Sequence, residues 1–154
     1  MARSLREQIG KKQPFEQAEE EAYLNIVRTA AALQCEFQRL FKQHGLGESG
    51  YNVLRILHAA GRDGRTWSEI RGEMVVPAPD ATRVIARLER DELVTREPDA
   101  ADGRVIRVRI TRRGSGLIRR LQGPVRALHD ELLGHVPDGE LRRLSRLLER
   151  TRDG

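Results

Sequence analysis

The sequence lacks the features of secreted and membrane-bound proteins. Cys35 is the single cysteine among 154 residues, so no disulfide can form within the chain, as is typical of a reducing compartment. No stretch is apolar over the length that a membrane helix requires, and the N-terminus lacks the apolar core of a signal peptide. We therefore expect a cytoplasmic protein that does not associate with a membrane.

The motifs of common enzymes are missing as well. There is no phosphate-binding glycine loop, dinucleotide fingerprint, H-E-x-x-H sequence or nucleophile elbow. The histidines at positions 44, 58, 129 and 135 are scattered, and Cys35 has no second cysteine with which to bind zinc. His129 and His135 lie near two acidic residues, but such neighbours face different ways on a helix, which favours a solvated helix end. We expect neither an enzyme nor a cofactor or metal site.

Aromatic residues are scarce and arginine is abundant. Only 4% of the residues are aromatic, so the core must consist mainly of Leu, Val, Ile and Ala. The formal net charge is +5 with a pI near 10.1, and lysine occurs only at positions 11, 12 and 42. A basic chain suits an acidic partner such as nucleic acid, although the same charge also serves solubility.

The most informative stretch, residues 78–111, begins with a helix. Pro79 is tolerated in a first helical turn, and Asp80 places negative charge near the positive end of the helix dipole. Val84, Ile85 and Leu88 recur at a spacing that gives one buried face. This face predicts a short amphipathic helix that packs against a core.

The other faces of this helix carry Thr82, Arg83, Arg87 and Arg90. Arginine can form two hydrogen bonds with guanine, and threonine can contact a thymine methyl group or a phosphate. These side chains are typical of a helix that reads the major groove of DNA. An ordinary surface helix with solvated arginines would show the same pattern.

Two strands follow the helix. Residues 93–96 and 105–110 alternate, or nearly alternate, apolar with polar side chains, and the segment between them contains the Pro, Asp and Gly residues of a turn. Arg104 is thus placed at or next to the tip of a hairpin, from which it can reach a minor groove. We expect Asp102 to brace its guanidinium group. A solvated hairpin tip is the alternative interpretation.

Residues 99–104 (DAADGR), the strand that ends at Ile110-Thr111, and Gly114 resemble the wing signature of the multiple antibiotic resistance regulator (MarR) family. That signature is roughly D-x-x-D-x-R, a strand ending in Leu/Ile-Thr, then x-x-Gly. Residues 82–89, followed by Leu93 and Val94, resemble the recognition helix and next strand of the same family. The resemblance covers most of the chain, although Gly103 stands where the family more often has arginine.

Together these patterns predict a mainly α (α+β) fold, a winged helix-turn-helix with N- and C-terminal dimerisation helices. We expect a flexible arm over residues 1–14, the winged domain over 48–111, and the dimerisation region over 15–47 and 112–154. One long helix is predicted for residues 15–44, because apolar residues repeat there at a spacing of three to four. Ser49, Ser68 and Thr111 are the expected caps of three later helices.

The resemblance implies a homodimeric DNA-binding transcriptional regulator, most simply a repressor, on a pseudo-palindromic operator in double-stranded DNA. The side chains expected at the major groove are those of Pro79, Asp80, Thr82, Arg83 and Arg87. Those expected at the wing tip are Asp102, Gly103 and Arg104. Those expected near phosphates are Arg65, Ser68, Arg107 and Arg109.

The resemblance also implies a small apolar or aromatic effector, bound between the dimerisation helices and the winged domain, that releases the DNA. The candidate pocket residues are Trp67, Tyr51 and Phe37, although Trp67 is most simply a core residue.

Two alternatives stay open. One is a winged-helix protein-interaction module that does not read DNA, and the other is a thiol-responsive sensor acting through Cys35. The redox-sensing branch of the MarR family carries its cysteine nearer the start of the corresponding helix. We therefore expect the Cys35 thiol to be buried or unreactive.

Overall fold

The computed structural model describes residues 3–78 and 80–153 of the chain. Helices dominate the structure, and a small antiparallel sheet completes it, as the sequence predicted. The elements in chain order are α1 (Leu5–Gln8), α2 (Ala18–Gln43), α3 (Glu48–Ala60), a 3₁₀ turn (Gly61–Asp63), β1 (Arg65–Thr66), α4 (Trp67–Glu73), α5 (Ala81–Arg90), β2 (Val94–Pro98), β3 (Ile106–Ile110), α6 (Arg112–Leu133) and α7 (Asp138–Arg152).

The chain divides into two compact units, Met1–Arg39 and Leu40–Gly154. In the first unit, residues that were expected to form an irregular arm contain the helical turn α1. The Ser4 hydroxyl accepts the N–H of Glu7, and the Glu7 carboxylate accepts the N–H of Ser4 at 2.8 Å. This reciprocal cap satisfies two N–H groups that a helix start would otherwise leave without partners, and Leu5 is buried behind it.

Helix α2 begins at Ala18, a few residues later than the apolar repeat predicted, and three glutamates occupy its first turn. This placement suits the positive end of the helix dipole. The helix buries little of its apolar face: Tyr23 is 64% exposed, and Ile26 and Val27 are also exposed. The apolar repeat therefore predicted the helix correctly but not the burial of its first half.

The core of the second unit is centred on helix α3. Val53, Leu54 and Leu57 of this helix are fully buried, and α3 packs against α5, α6 and the strand β3. Helix α6 supplies Leu121, which is fully buried, and α4 supplies Ile70. Because these residues come from separate helices, they fix the helix-turn-helix against the rest of the unit.

The sheet has the strand order β1-β3-β2, and both pairings are antiparallel. Strands β2 and β3 form the wing hairpin, with Val94 opposite Ile110 and Pro98 opposite Ile106. Gly64, just before β1, has a φ of +63° and lies against the main chain of Val108. Only a residue without a Cβ fits this close approach of two backbones.

Two of the three expected helix caps differ from the structure. Helix α3 follows Gly47 and has no side-chain cap, so Ser49 lies inside the helix. Helix α4 is capped by Thr66. The Thr66 hydroxyl accepts the N–H of Glu69, and the Glu69 carboxylate accepts the N–H of Thr66. Ser68 therefore also lies inside its helix. The third prediction is confirmed, since the Thr111 hydroxyl accepts the N–H of Gly114 at 3.0 Å.

The C-terminal helix α7 carries leucines at regular spacing but has no fully buried residue. Leu144 and Leu147 are exposed, and Leu141 and Leu148 are half-buried. Over residues 3–78 and 80–153, no helix combines the length and the apolar character needed to cross a membrane.

Candidate nucleic-acid interface

Helix α5 separates an apolar face from a polar face, as the sequence predicted. Ile85 and Leu88 are buried, whereas Thr82, Arg83 and Arg87 are exposed. Asp80 precedes the helix and is also exposed, but its side chain makes no capping hydrogen bond. Pro79, the other residue expected at the helix start, lies outside the described residues.

The arginines of α5 form only loose ion pairs. Arg83 Nη1 lies 3.7 Å from Asp80 Oδ2, with the two side chains 84% and 74% exposed. Arg87 and Arg90 lie 3.9 Å and 3.7 Å from the carboxylate of Asp91. Exposed pairs at such distances contribute little to stability, so these guanidinium groups are free to exchange partners.

The C-terminal end of α5 is tied to the wing. Glu89 forms an ion pair with Arg96 of β2, and the hydrogen bond from Arg96 holds the pKa of the Glu89 carboxyl below its usual value. Glu92 has a φ of 59°, which turns the chain sharply from helix to strand. The Leu93 N–H then donates to the carbonyl of Leu88 at 2.8 Å. These contacts fix the position of the wing relative to helix α5.

The wing tip is built by aspartate side chains. Asp99 Oδ1 accepts the N–H groups of Ala101 at 2.9 Å and of Asp102 at 3.3 Å. Asp102 Oδ1 in turn accepts the main-chain N–H of Arg104 at 3.0 Å. Aspartate readily forms such turns because its short side chain reaches the backbone two residues further on.

Arg104 is exposed at this tip, but the expected brace is not present. Asp102 bonds the main chain of Arg104, and the Arg104 guanidinium forms no ion pair with any residue of the described chain. The short Asp102 side chain is already used by the turn, which explains the difference. Gly103 is exposed as well, and a Cβ at this position would meet no atom within 4 Å.

Arg107, expected to contact phosphate, is partly buried and has several partners within the protein. Its Nε is 2.6 Å from Asp99 Oδ2, and its Nη1 is 3.8 Å from Glu69 Oε2 and 3.3 Å from the carbonyl oxygen of Asp63. The Arg107 and Asp99 side chains are only 23% and 13% exposed. The hydrogen bond from the Ala101 N–H lowers the pKa of the Asp99 carboxyl most, and the hydrogen bond from Arg107 lowers it further.

The other sheet arginines are also paired. Arg109 Nε lies 3.4 Å from Glu97, and its Nη1 donates to the carbonyl of Arg62. Arg65 Nε donates to Glu73 at 2.7 Å, and Ser68 is exposed on α4. Phosphate contact by these arginines stays a prediction, and it would have to compete with internal carboxylates. The antiparallel register sets Glu97, the acidic residue of β2, opposite Arg107 and next to the Thr95–Arg109 pair, and this register could not be read from the sequence alone.

The candidate effector residues have different surroundings. Tyr51 stacks on Phe41 with ring centroids 4.2 Å apart and an interplanar angle of 17°. Burial raises the pKa of the Tyr51 hydroxyl. Trp67 is half-buried at the first position of α4, and Phe37 lies on α2 in the other compact unit. A shared pocket for the three remains a prediction.

The expected burial of Cys35 is wrong, because its thiol is exposed on helix α2. Cys35 lies in the second half of α2, where the apolar residues Leu33, Phe37 and Leu40 are half-buried and Phe41 is buried. Its lack of reactivity stays a prediction. In the described part of the chain, no group of three or more His, Cys, Asp and Glu side chains is arranged to hold a metal ion.

Comparison with known proteins gives consistent matches. A sequence model of the MarR family matches residues 44–105. The transcriptional repressor IacR of Pseudomonas putida is 33% identical over 112 residues, which span 73% of this chain and 66% of the repressor. The crystal structure of a MarR transcription factor from Planctomyces limnophilus is 35% identical, with a TM-score of 0.69 over 88% of this chain and 98% of that one.

A third match extends the likeness of the fold. The MepR–DNA complex from S. aureus has a TM-score of 0.76 at 20% identity and covers 86% of this chain and 96% of the MepR chain. The relatives from Pseudomonas putida and Planctomyces limnophilus are named as a transcriptional repressor and a transcription factor, which agrees with the expectation that the chain is not an enzyme.

Proposed function

This chain belongs to the MarR family of transcriptional regulators, and on that basis we propose that it acts as a homodimeric cytoplasmic repressor. It binds a pseudo-palindromic operator in double-stranded DNA and leaves it when a small ligand binds. The observation that carries the proposal is the polar face of helix α5, with an exposed guanidinium group on Arg83 that only a loose ion pair engages.

The exposed face of helix α5 supplies the base contacts. Thr82, Arg83 and Arg87 are exposed, while Ile85 and Leu88 fix the opposite side of the helix in the core. A helix fixed in this way presents its side chains to the major groove without having to order itself on binding. Arg83 is the residue best suited to pair with guanine, and each good pairing contributes about 1–3 kcal/mol of discrimination.

The wing supplies a second contact. Arg104 is exposed, its main chain is fixed by Asp102, and its guanidinium group has no ion-pair partner in the described chain. A minor groove attracts such a group most strongly where the groove is narrow. Phosphate contacts add affinity that does not depend on sequence and that falls as the salt concentration rises.

Two helices support the proposed homodimer. Helix α2 exposes Tyr23, Ile26 and Val27, and helix α7 exposes Leu144 and Leu147. Monomeric soluble proteins rarely leave rows of apolar side chains open to water, so such rows favour contact with a second copy of the chain. A two-fold dimer would place two α5 helices at the half-sites of a pseudo-palindrome.

Relatives support repression and DNA binding. The Pseudomonas putida relative is named a repressor, and the MepR structure holds DNA. Membership of the family suggests a small apolar or aromatic effector, and within the second unit we assign Tyr51 and Trp67 to its site. A ligand releases DNA only if it binds the DNA-incompatible shape of the dimer more tightly than the compatible shape.

The test is fluorescence anisotropy with a duplex from upstream of the protein's own gene and a scrambled duplex, at several salt concentrations. Wild type, Arg83→Ala, Arg104→Ala and the control Arg142→Ala are titrated, and sedimentation of the wild type gives its oligomeric state. We expect the wild type to prefer the native duplex and Arg83→Ala to lose about tenfold or more of this preference. Arg142→Ala, which removes an equal charge from α7, should keep it.

Equal binding of wild type and Arg83→Ala to every fragment from a genome-wide selection would contradict sequence reading by α5. In that case the winged surface would serve a protein partner.

A further inference from the structure

A second basic feature of the molecule lies away from helix α5. A cavity of about 700 Å³ opens where the end of α3, the end of β3 and the start of α6 meet. Its volume is within the range of pockets that bind small organic molecules. The polar side chains that line it include His58, Arg62, Arg109, Arg112, Ser115 and Arg119.

Positive charge is concentrated in this cavity. Four arginines line it, and no aspartate or glutamate is among its lining residues. Arg109 is partly neutralised by Glu97, whose carboxylate is 3.4 Å from its Nε. The guanidinium groups of Arg62, Arg112 and Arg119 form no ion pair with any described residue, in contrast to those of the sheet. At least three positive charges therefore have no internal counter-charge.

The secondary structure adds to this positive field. Arg112 is the first residue of α6, a helix of 22 residues, and a helix N-terminus carries a partial positive charge. Arg112, Ser115 and Arg119 are spaced by three and four residues, so they lie along one face of the helix. Arg62 approaches from the 3₁₀ turn, and His58 approaches from α3. With Arg109 of β3, donors from four elements converge on the same space.

We propose that this cavity binds a small organic anion that carries phosphate groups and at least two negative charges. A single carboxylate would leave two or more arginines without a counter-charge. The planar guanidinium fork binds phosphate oxygens through two parallel hydrogen bonds, and Ser115 adds a neutral hydroxyl group. The cavity is much larger than a phosphate ion, so it has room for an organic group beside the phosphates.

This anion site does not depend on DNA binding. The polar face of α5 is not part of the cavity, which is lined by residues of α3, the 3₁₀ turn, β3 and α6. DNA phosphate is the competing occupant, because it carries the same chemistry. Binding of the anion is therefore measured first without DNA. A titration with DNA then distinguishes a site for a small anion from a site for the DNA backbone.

Isothermal titration calorimetry of the full chain with sodium pyrophosphate tests the proposal, at constant ionic strength and with benzoate as a monoanionic comparison. The variant Arg112→Ala/Arg119→Ala is compared with Arg142→Ala/Arg146→Ala, which removes the same charge from exposed positions of α7. We expect saturable pyrophosphate binding in wild type and control and binding weaker by about tenfold or more in the cavity variant. Benzoate should bind more weakly than pyrophosphate to the wild type.

Arg62→Ala is the second variant, because it changes the cavity from a different element and leaves α6 intact. It should also weaken pyrophosphate binding. Absence of saturable binding to the wild type, or equal binding by the cavity and control variants, would overturn the proposal. So would a cavity variant that loses duplex affinity as strongly as Arg83→Ala while binding pyrophosphate normally, because its arginines would then serve the DNA backbone.

Discussion

The arginines of the sheet and those of helix α5 have the same chemistry but different surroundings. In the sheet, Arg65 and Arg107 lie 2.7 Å and 2.6 Å from carboxylate oxygens, and both side chains are largely covered. On α5, Arg83 and Arg87 lie 3.7 Å and 3.9 Å from their nearest carboxylates and are mostly in solvent. The sheet arginines hold the wing, whereas those of α5 are available for a partner.

This comparison shows that the role of an arginine depends on the number and the distance of its carboxylate partners, and not on the residue type alone. Arg107 links three parts of the winged domain, because it contacts Asp99 at the wing tip, Glu69 in the cap of α4 and the carbonyl of Asp63. A charge with so many internal partners stabilises a shape. A charge with one loose partner can change partners at little cost.

The largest effect on stability is expected at Gly64, where the backbones before β1 and in β3 approach each other most closely. A Cβ at Gly64 would overlap the main-chain oxygen of Val108, and the φ of +63° with a ψ of −164° strongly disfavours other residues. Gly64→Ala should therefore lower the free energy of unfolding by roughly 3 kcal/mol or more. Chemical denaturation measures this change. Gly72→Ala on α4, where a Cβ meets nothing within 4 Å, should be neutral or slightly stabilising.

The next effect separates the two groups of arginines directly. Arg107→Ala should lower Tm by a few degrees, because it leaves the covered carboxylate of Asp99 without its ion-pair partner. Arg83→Ala should leave Tm unchanged and reduce only the affinity for DNA. Differential scanning fluorimetry and anisotropy on the same preparations measure both quantities. If Arg83→Ala lowered Tm as much as Arg107→Ala, the proposed difference between stabilising sheet arginines and DNA-contacting α5 arginines would be contradicted.

The smallest expected effect is a pH dependence of the wing. The pKa of Asp99 is lowered in the folded state by the N–H of Ala101 and then by Arg107. The stabilisation is therefore fully present above the unfolded pKa of about 3.9 and is lost as the pH falls through the lower folded value. The Tm difference between wild type and Asp99→Asn should shrink as the pH falls from 7 towards about 3. A difference that is constant over this range would contradict the role of the Asp99 charge.

The sequence predicted the order and type of the main elements because their patterns are local. The apolar spacing of α3 and of α5 led directly to the buried residues Leu54 and Leu88. The threonine before α6 was correctly predicted as a cap, since its hydroxyl reaches the N–H of a residue only three positions away. The DAADGR sequence was correctly placed in a turn, because aspartate and glycine favour turns wherever they occur.

The missed features depend on contacts between segments. The pairing of Arg107 with Asp99 requires the β2–β3 register, and its contact with Glu69 also requires the position of α4. The exposure of Cys35 could not be read from its helical pattern, because periodicity does not say whether an apolar face is covered. The cavity beside Arg62 and Arg119 brings together residues far apart in the sequence, and no motif predicted it.

The Thr111 junction has a mechanical consequence. Its hydroxyl donates to the carbonyls of Glu92 and Leu93 while accepting from Gly114, and its N–H also donates to Leu93. Gly114 lies so close to Leu93 that a Cβ there would overlap the Leu93 oxygen. The start of α6 is thus held in close contact with the start of β2. We therefore expect a rotation of α6 to move the start of β2 with it, and so to change the position of the wing hairpin.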